Sequence, residues 1–471
     1  MSVVVVGAGV LGASVAYHLA GRGVPVTLLE QAARPAAGVT RDSFAWIGGT
    51  GGHWPGGAAR LRGSVLADWR RLEAELPDAR VRWTGSLTWP AAAADLVGQE
   101  EAGELVGPKR IRTLEPRLRT PPPSALHIPS DGGVDPVAVT EALVRALPAR
   151  GGRVVLGVSG VSLRVSGGRV TDMECSAGFL PASTVVLAAG TGVPALTAPL
   201  GIPLPVTASP ARLIRLTAPP GLVRGIVAGP EFEVREVTPG HLLMTLPDRG
   251  KASPEDRMGL PDRAVAAVDD STGVEGTGAA TSDHPMNPRD TAAAPASHPT
   301  NPPDTAAAPP NPPDTAAPPA NCPTSPPDTA AAPPTPPPNP PGRVSADPPD
   351  DDSPSPFSRP LALLRAAFAG ADACPVVGSR VADRPMPAGG PLVGPLVGPL
   401  VGPSAGAEAS GCSLYVVVAH SAVTLAPVIG RLVADELATG RPTELLDGCR
   451  PPSPWHTEAR ADVNIVRDQA G

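Results

Sequence analysis

One unit near the start of the chain restricts its fold more than any other feature. An apolar run, Val3 to Val6, leads into Gly7-Ala8-Gly9-Val10-Leu11-Gly12 and then into a helix-like segment that reaches Arg22. A strand, a glycine turn and a helix in this order bind the pyrophosphate of a dinucleotide at the N-terminus of the helix. A second apolar run, Val24 to Leu29, ends in Glu30, where a carboxylate is placed to accept hydrogen bonds from a ribose hydroxyl. The unit therefore predicts an adenine dinucleotide site.

The composition narrows the class of protein. With 471 residues, the chain is long enough for two or more domains. Its net charge of −7, without a long basic run, argues against a nucleic-acid surface. Its five cysteines are scattered with no CxxC spacing, which indicates neither a metal site nor a disulfide framework. No apolar run reaches the roughly 20 residues of a membrane helix and no cleavable leader precedes the first strand, so we expect a cytoplasmic protein without membrane contact.

Two stretches depart from a globular composition. Residues 251–355 are rich in Pro, Ala and Asp, and Asn301-Pro302-Pro303-Asp304-Thr305 recurs further along. Because such a segment cannot bury enough apolar surface to offset the entropy of ordering, it is predicted to be a disordered insert. Later, Pro391-Leu392-Val393-Gly394 is repeated from Pro395 and again from Pro399. We interpret the three copies as one duplicated loop.

The remaining sequence has the mixed pattern of an α/β protein. Apolar residues at helical spacing predict helices at Arg60 to Leu76, Pro136 to Leu147 and Leu425 to Thr439. Short β-prone runs predict strands at Gly85 to Trp89, Arg153 to Val158, Thr184 to Ala188, Gly240 to Thr245 and Leu414 to Ala419. The glycine-rich start and the C-terminal strand and helix are expected to form one domain that is discontinuous in sequence.

The glycine turn alone does not distinguish NAD from FAD, and three other segments favour FAD. After Glu30 the chain passes through a small, hydroxyl-rich loop, Ala36 to Trp46, which can lie along an extended cofactor. Thr184 to Gly190 is an apolar strand that ends in small residues. At His420 to Gly430 a strand meets a helix with Pro427 early in it, and the N-terminus of this helix would face an electron-rich group such as the N1 edge of a flavin.

Together these segments resemble the FAD-dependent oxidoreductase family that includes D-amino acid oxidase, glycine oxidase and the sarcosine oxidases. The resemblance is carried by the glycine turn with Glu30 and by Thr40 to Trp46, Asp131 to Pro136, Thr184 to Gly190, Arg384 to Pro387 and His420 to Pro427. It implies that the C–N bond of an amino acid or an amine is oxidised by hydride transfer to non-covalently bound FAD, with hydrolysis of an imine product.

The resemblance also implies an architecture. The fold would combine a Rossmann-like FAD-binding domain with an antiparallel-sheet α+β substrate domain. The FAD-binding domain would take residues 1–80, 134–207 and 380–450, and the substrate domain would take residues 81–133, 208–250 and 356–379. The insert at 251–355 would interrupt the substrate domain, and residues 451–471 would form a flexible tail.

Individual residues gain expected roles from the same resemblance. The pyrophosphate would be held by the glycine turn, the adenosine ribose by Glu30 with Gln31 beside it, and the adenine by backbone at Val161. The residues expected along the phosphates and the flavin are Thr40, Ser43, Ala45, Trp46, Ala189, Gly190, Ser421, Ala422, Val423 and Thr424. Arg384 would clamp a substrate carboxylate, since a guanidinium matches that ion in a bidentate pair. His420 is a candidate catalytic residue.

Departures from the family pattern leave part of the chemistry open. Gly389 stands where the family usually has an acidic residue, and Ala422 stands where it often has glycine. The only lysines, Lys109 and Lys251, are far in sequence from the flavin motifs. Without a lysine to promote the reduction of oxygen, an electron acceptor other than oxygen is expected. An NAD-linked dehydrogenase and a catalytically inactive flavin-binding or interaction protein are the alternatives.

Overall fold

The computed structural model describes residues 2–50, 54–90, 103–166, 169–247, 357–397 and 413–451, all of which belong to one compact unit. Numbered along the chain, the strands are β1 (Val3–Val6), β2 (Val26–Glu30), β3 (Trp46–Ile47), β4 (Ser86–Thr88), β5 (Glu104–Val106), β6 (Ala125–Ile128), β7 (Gly132–Gly133), β8 (Arg153–Leu156), β9 (Ser162–Ser166), β10 (Arg169–Cys175), β11 (Gly178–Phe179), β12 (Thr184–Leu187), β13 (Val206–Thr217), β14 (Ile226–Ala228), β15 (Glu233–Thr238), β16 (His241–Thr245), β17 (Val376–Pro387), β18 (Leu392–Val397) and β19 (Ser413–Val418). The helices are α1 (Val10–Gly21), α2 (Ala58–Leu61), α3 (Val65–Glu75), α4 (Pro108–Leu114), α5 (Pro136–Ala146), α6 (Val193–Thr197), α7 (Ser358–Ala367) and α8 (Ala422–Thr439). None of these helices is long and apolar enough to cross a bilayer. The predicted insert at 251–355 lies outside the described residues.

The first sheet has the strand order β18-β19-β12-β1-β2-β8, with β18 antiparallel at one edge and the other strands parallel. A parallel sheet is covered on both faces, which is why its strands read as unbroken apolar runs. Val3 and Val5 pack against α1, α5 and α8 on one face, and Val4 and Val6 pack against β10 on the other. Residues from the beginning and the end of the described chain thus share one sheet, as the sequence predicts.

The second sheet has the strand order β17-β13-β16-β15-β14-β4-β6-β5 and is antiparallel except where β14 meets β4. One of its faces is an apolar core, in which Ile214, Val234 and Met244 lie with Leu364 of α7 and Ile111 of α4. The opposite face carries charged side chains. This sheet is the predicted antiparallel partner of the parallel sheet.

The predicted elements are present, with shifted ends. The helix expected at Arg60 to Leu76 is interrupted by a 3₁₀ turn, Arg62–Ser64, so that α3 starts only at Val65. Helix α8 begins three residues before the predicted Leu425, which places Pro427 inside the helix rather than early in it. Because proline has no amide hydrogen, the intrahelical hydrogen bond from position 427 to the carbonyl four residues before it cannot form.

The repeated Pro-Leu-Val-Gly segment is a strand where we predicted a loop. The first copy and most of the second form β18, which pairs with β19 in an antiparallel register. A proline is tolerated in a strand at a sheet edge or at a bulge. Pro395 satisfies both conditions, because β18 is the edge strand and its register shifts between Pro395 and Val397. The third copy, from Pro399, lies outside the described residues.

Candidate functional site

The turn between β1 and α1 has no room for side chains. Gly7 has a φ of +105°, and a Cβ there would lie 2.7 Å from the carbonyl oxygen of Ala188. A Cβ on Gly12 would overlap the carbonyl oxygen of Gly7, and one on Gly9 would lie 3.2 Å from Oγ1 of Thr40. The backbone can therefore approach a ligand closely, as the diphosphate of an FAD requires.

Polar groups surround this turn at both ends. The Glu30 carboxylate accepts hydrogen bonds from the amide of Ala8 (2.8 Å) and from that of Ala32 (3.0 Å). No side chain of the N-cap residue, Gly9, caps α1, and the amide of Val10 donates to Oγ1 of Thr40 at 3.2 Å. The first amides of a helix lack intrahelical partners and carry the positive end of its dipole. The cradle is thus suited to an anionic group.

The N-terminus of α8 lies against β3. Oγ1 of Thr424 donates to the carbonyl of Trp46 at 2.7 Å, and the indole of Trp69 donates to the carbonyl of Thr424 at 2.9 Å. Two segments that are more than 370 residues apart in sequence are joined by the first of these bonds. The structure therefore brings together the two segments that the sequence assigns to the flavin.

Trp46 is fixed by a carboxyl group to which sequence reasoning assigned no role. Its indole donates to Oδ2 of Asp131 at 2.9 Å, and the hydroxyl of Ser86 donates to the same oxygen at 2.8 Å. Asp131 is buried, and burial raises its pKa to about 6, against the opposing effect of these two bonds. In the sequence, Asp131 is recognisable only as the start of a family motif, because its contact with Trp46 cannot be read from spacing.

Arg384 lies on the second sheet. Strand β17 continues through residue 380, where the third FAD-binding segment was expected to start, and ends at Pro387. Arg384 is directly opposite Ser209 of β13 and donates to its hydroxyl at 3.1 Å. The guanidinium is half-buried. The residue is therefore held in a paired strand, not in a surface loop.

The charged face of the second sheet covers the loop that leads to Trp46. Arg235 is 2% exposed and donates to the carbonyls of Phe44 and Val134, both at 2.6 Å. Burial lowers the pKa of its guanidinium to about 9. Arg215 donates to the carbonyl of Arg41 at 2.6 Å and pairs with Asp42 at 3.1 Å. Neither arginine was identified from sequence, where the only signal is a charge between apolar residues in a β-prone run.

The other expected site residues lie in segments that adjoin β2, β3, β12 and α8. The amide of Val158 donates to the carbonyl of Glu30 at 2.9 Å, so the chain passes the end of β2 shortly before Val161, which is half-buried. Ala189 and Gly190 follow Ala188 at the glycine turn. The hydroxyl of Ser43, which precedes Trp46, accepts a hydrogen bond from the amide of Ala45 at 3.1 Å. His420 and Ser421 precede α8, and Ala422 and Val423 are its first residues. Gln31 is exposed. Within the described ranges, no group of three metal-binding side chains occurs.

Comparisons with known proteins identify relatives that match part of the chain. A D-amino acid dehydrogenase of Cereibacter sphaeroides is 32% identical over 137 residues, 29% of this chain and 29% of that protein. A D-amino acid dehydrogenase of Methylobacterium sp. (strain 4-46) is 29% identical over 274 residues, 44% of this chain and 64% of that protein. This chain thus spans less than two thirds of the length of these relatives.

The fold has a counterpart among solved structures. Glycine oxidase from Geobacillus kaustophilus superposes with a TM-score of 0.63 at 16% identity, covering 96% of this chain and 98% of that chain. The profile of the family described as "DAO: FAD dependent oxidoreductase" matches residues 2–290. Because this match spans more than half of the sequence and agrees with the glycine cradle, the chain belongs to the DAO family of FAD-dependent oxidoreductases, and its cofactor is FAD.

Proposed function

We propose that this protein oxidises the C–N bond of an amino acid whose carboxylate is bound by Arg384. The observation that carries the proposal is the position of Arg384, in a paired strand on the sheet whose charged face covers the loop before Trp46. Family membership supplies the cofactor, and two partial relatives are named D-amino acid dehydrogenases.

Different residues of the cradle would bind different parts of the FAD. The amides of the glycine turn and of the first turn of α1 would bind the pyrophosphate, and Glu30 would bind the adenosine ribose, with Val161 at the adenine. Thr40, Ser43, Ala45 and Trp46 would line the phosphates and the flavin. The N-terminus of α8, at Ser421 to Thr424, would stabilise negative charge on the flavin edge. FAD, when bound non-covalently there, supplies the capacity to accept a hydride equivalent.

Arg384 explains how a charged substrate would enter such a site. A carboxylate that leaves water is stable only beside a fixed opposite charge. The guanidinium provides that charge, and its two parallel donors hold the carboxylate in one orientation. The α-carbon is thereby placed relative to the site rather than free to rotate.

The test is Arg384→Met, which keeps an unbranched apolar stem and removes the charged guanidinium. Binding of a carboxylate substrate should weaken by about 2 to 5 kcal/mol, the range for removing one partner of a buried charge pair. The measurement is an anaerobic panel of amino acids and amines, with flavin reduction as the signal and FAD content as the control for folding. Equal losses with an amino acid and with an amine that lacks the carboxylate would contradict the assignment, and reduction by none of the panel would contradict the proposed function.

We further propose that the electron acceptor is not oxygen. Of the two lysines, Lys109 lies on α4 beneath the apolar face of the second sheet, and Lys251 lies outside the described residues. No described lysine is therefore next to the cradle. Re-oxidation of the reduced enzyme should be slow in air-saturated buffer and fast with a quinone or dye, and rapid re-oxidation by oxygen alone would contradict this.

A further inference from the structure

Glu233 and Arg384 lie on the same face of the second sheet. Glu233 pairs with Thr245, Thr245 with Leu213, and Leu213 with Arg380, so these residues form one row across four strands. Side chains of directly paired residues project to the same face, and residues at even spacing along a strand share a face. Arg384 follows Arg380 by four residues on β17 and therefore projects to the face of Glu233.

This face is the one that contacts the FAD-binding part of the molecule. Arg235, two residues beyond Glu233 on β15, bonds to the carbonyl of Phe44, and Arg215, in the same row as Arg235, bonds to that of Arg41. The end of the β13–β17 pair also contacts the 3₁₀ turn Gly190–Gly192, which follows the glycine cradle. Glu233 thus lies between two elements that approach the cofactor cradle.

The side chain of Glu233 differs from that of Glu236, on the same strand, in its hydrogen bonds. Glu236 accepts hydrogen bonds from the amides of Gly221 and Gly240 and pairs with Arg82 at 2.9 Å. Glu233 is half-buried, and its side chain forms no hydrogen bond or ion pair with any described residue. Burial raises its pKa to about 7, although the charge of Arg384 acts in the opposite direction. A half-buried carboxyl group that accepts no hydrogen bond from the described residues has its acceptor oxygens available to a ligand.

We propose that the Glu233 carboxylate binds the amino group of the substrate while Arg384 binds its carboxylate. This inference rests on the proposed function. The two residues would recognise the two charged ends of a zwitterion and so place its α-carbon between them. An ammonium group has no lone pair with which to form a C=N bond. Transfer of one proton breaks an N–H bond of the ammonium and forms an O–H bond on Glu233, which leaves the neutral amine and the neutral acid.

The experiment compares two ligands in the FAD-loaded enzyme. The first is the amino acid that reduces the flavin in the anaerobic panel, and the second is the carboxylic acid that carries hydrogen in place of its amino group. Glu233→Gln keeps the shape of the side chain and removes its charge. It should weaken binding of the amino acid about 10- to 100-fold, the range for a hydrogen bond to a charged group, and slow flavin reduction, while binding of the acid stays within about twofold.

Two further variants separate the possible outcomes. Arg384→Met should weaken binding of both ligands, because both carry the carboxylate. Glu174→Gln makes the same change on an exposed residue of β10 and should alter neither. If Glu233→Gln weakens binding of both ligands equally or of neither, the assignment of Glu233 is wrong, although weaker binding of both ligands by Arg384→Met would still support the proposed function. If Arg384→Met alters neither ligand, the proposed function itself fails.

Discussion

The glycine end of the first sheet and the charged face of the second sheet build a site in opposite ways. At the glycine end, the proposed function depends on side chains that are missing: a Cβ on Gly7 or Gly12 would meet backbone, so only glycine allows this close turn. On the charged face the proposed function depends on side chains that are present, since Arg235 and Glu233 of β15 and Arg384 of β17 share one face of the sheet. The glycine end requires free space beside the backbone, whereas the charged face requires charged side chains held in one strand register.

The free-energy cost of folding also has a different origin in the two regions. A glycine turn loses backbone entropy on folding but buries no ionisable side chain of its own. The charged face removes ionisable groups from water, as the lowered pKa of Arg235 and the raised pKa of Glu233 show. Arg235 and Arg215 are stabilised there by specific bonds to backbone carbonyls, so substitutions of these arginines should act through lost partners rather than through lost volume.

The largest effect is expected at the glycine end. In Gly12→Ala the new methyl group would overlap the carbonyl oxygen of Gly7, which is backbone and cannot move aside. We expect destabilisation by more than about 3 kcal/mol, the upper end of the range for overpacking, and loss of bound FAD. The ratio of flavin to protein absorbance after purification and the unfolding midpoint measure both effects.

Gly63→Ala is the matched control. Gly63 lies in the 3₁₀ turn before α3, with nothing within 4 Å of the position of its Cβ. This variant should keep its FAD. Normal FAD binding by Gly12→Ala would show that the glycine end does not depend on the absence of side chains.

The next effect tests whether the second sheet depends on partners. Arg235→Met preserves much of the buried volume but leaves the carbonyls of Phe44 and Val134 without a donor. Each unsatisfied buried acceptor costs about 1 to 3 kcal/mol, so we expect a loss of about 4 kcal/mol in chemical denaturation. Arg212→Met, an exposed position on β13 of the same sheet, should change stability by less than about 0.5 kcal/mol. Equal losses in the two variants would show that the buried bonds are not the cause.

Asp131 joins the second sheet to Trp46 and gives the stability a pH dependence. Because its pKa is raised from 3.8 to about 6, the folded protein holds a proton that the unfolded chain releases between these values. The contribution of Asp131 is therefore most favourable below about pH 4 and is lost as the pH rises through about 6. Asp131→Asn removes this loss, so its stability relative to wild type should improve by about 3 kcal/mol between pH 4 and pH 7. A relative stability that does not change with pH, in paired urea titrations, would argue against a buried ionising Asp131.

The smallest effect concerns the contact between α8 and β3. Thr424→Val removes the hydroxyl that donates to the carbonyl of Trp46 and keeps the branched shape. We expect a loss of about 1 kcal/mol in stability, the net value of one such bond, and weaker retention of FAD during dialysis. Thr439→Val, at the exposed end of the same helix, removes a hydroxyl bond to the carbonyl of Asp435 and should leave FAD retention unchanged. Equal FAD loss in both variants would mean that the helix as a whole, not its N-terminus, supports the site.

The nucleotide-binding part was readable from sequence because its determinants are local. The run from Val3 to Glu30 predicted a strand, turn, helix and strand, and β1, α1 and β2 are found there. A turn that requires glycine is encoded by the residues of the turn itself, and a strand buried on both faces is encoded by its own apolar run. A dinucleotide site could be predicted on this basis, whereas the family and FAD were recognised from further motifs as far along the chain as His420 to Pro427.

The charged face and its partners were decided by tertiary structure alone. Whether Arg235 is buried or exposed, and whether Glu233 faces Arg384, depends on the register of β15, β16, β13 and β17, and a shift of one residue would turn every one of these side chains to the other face. Strand β18 was missed for a similar reason, since a proline-containing repeat becomes a strand only where an edge and a bulge accept it. Backbone conformation is a property of neighbouring residues, whereas a shared face is a property of strands that meet only after the chain has folded.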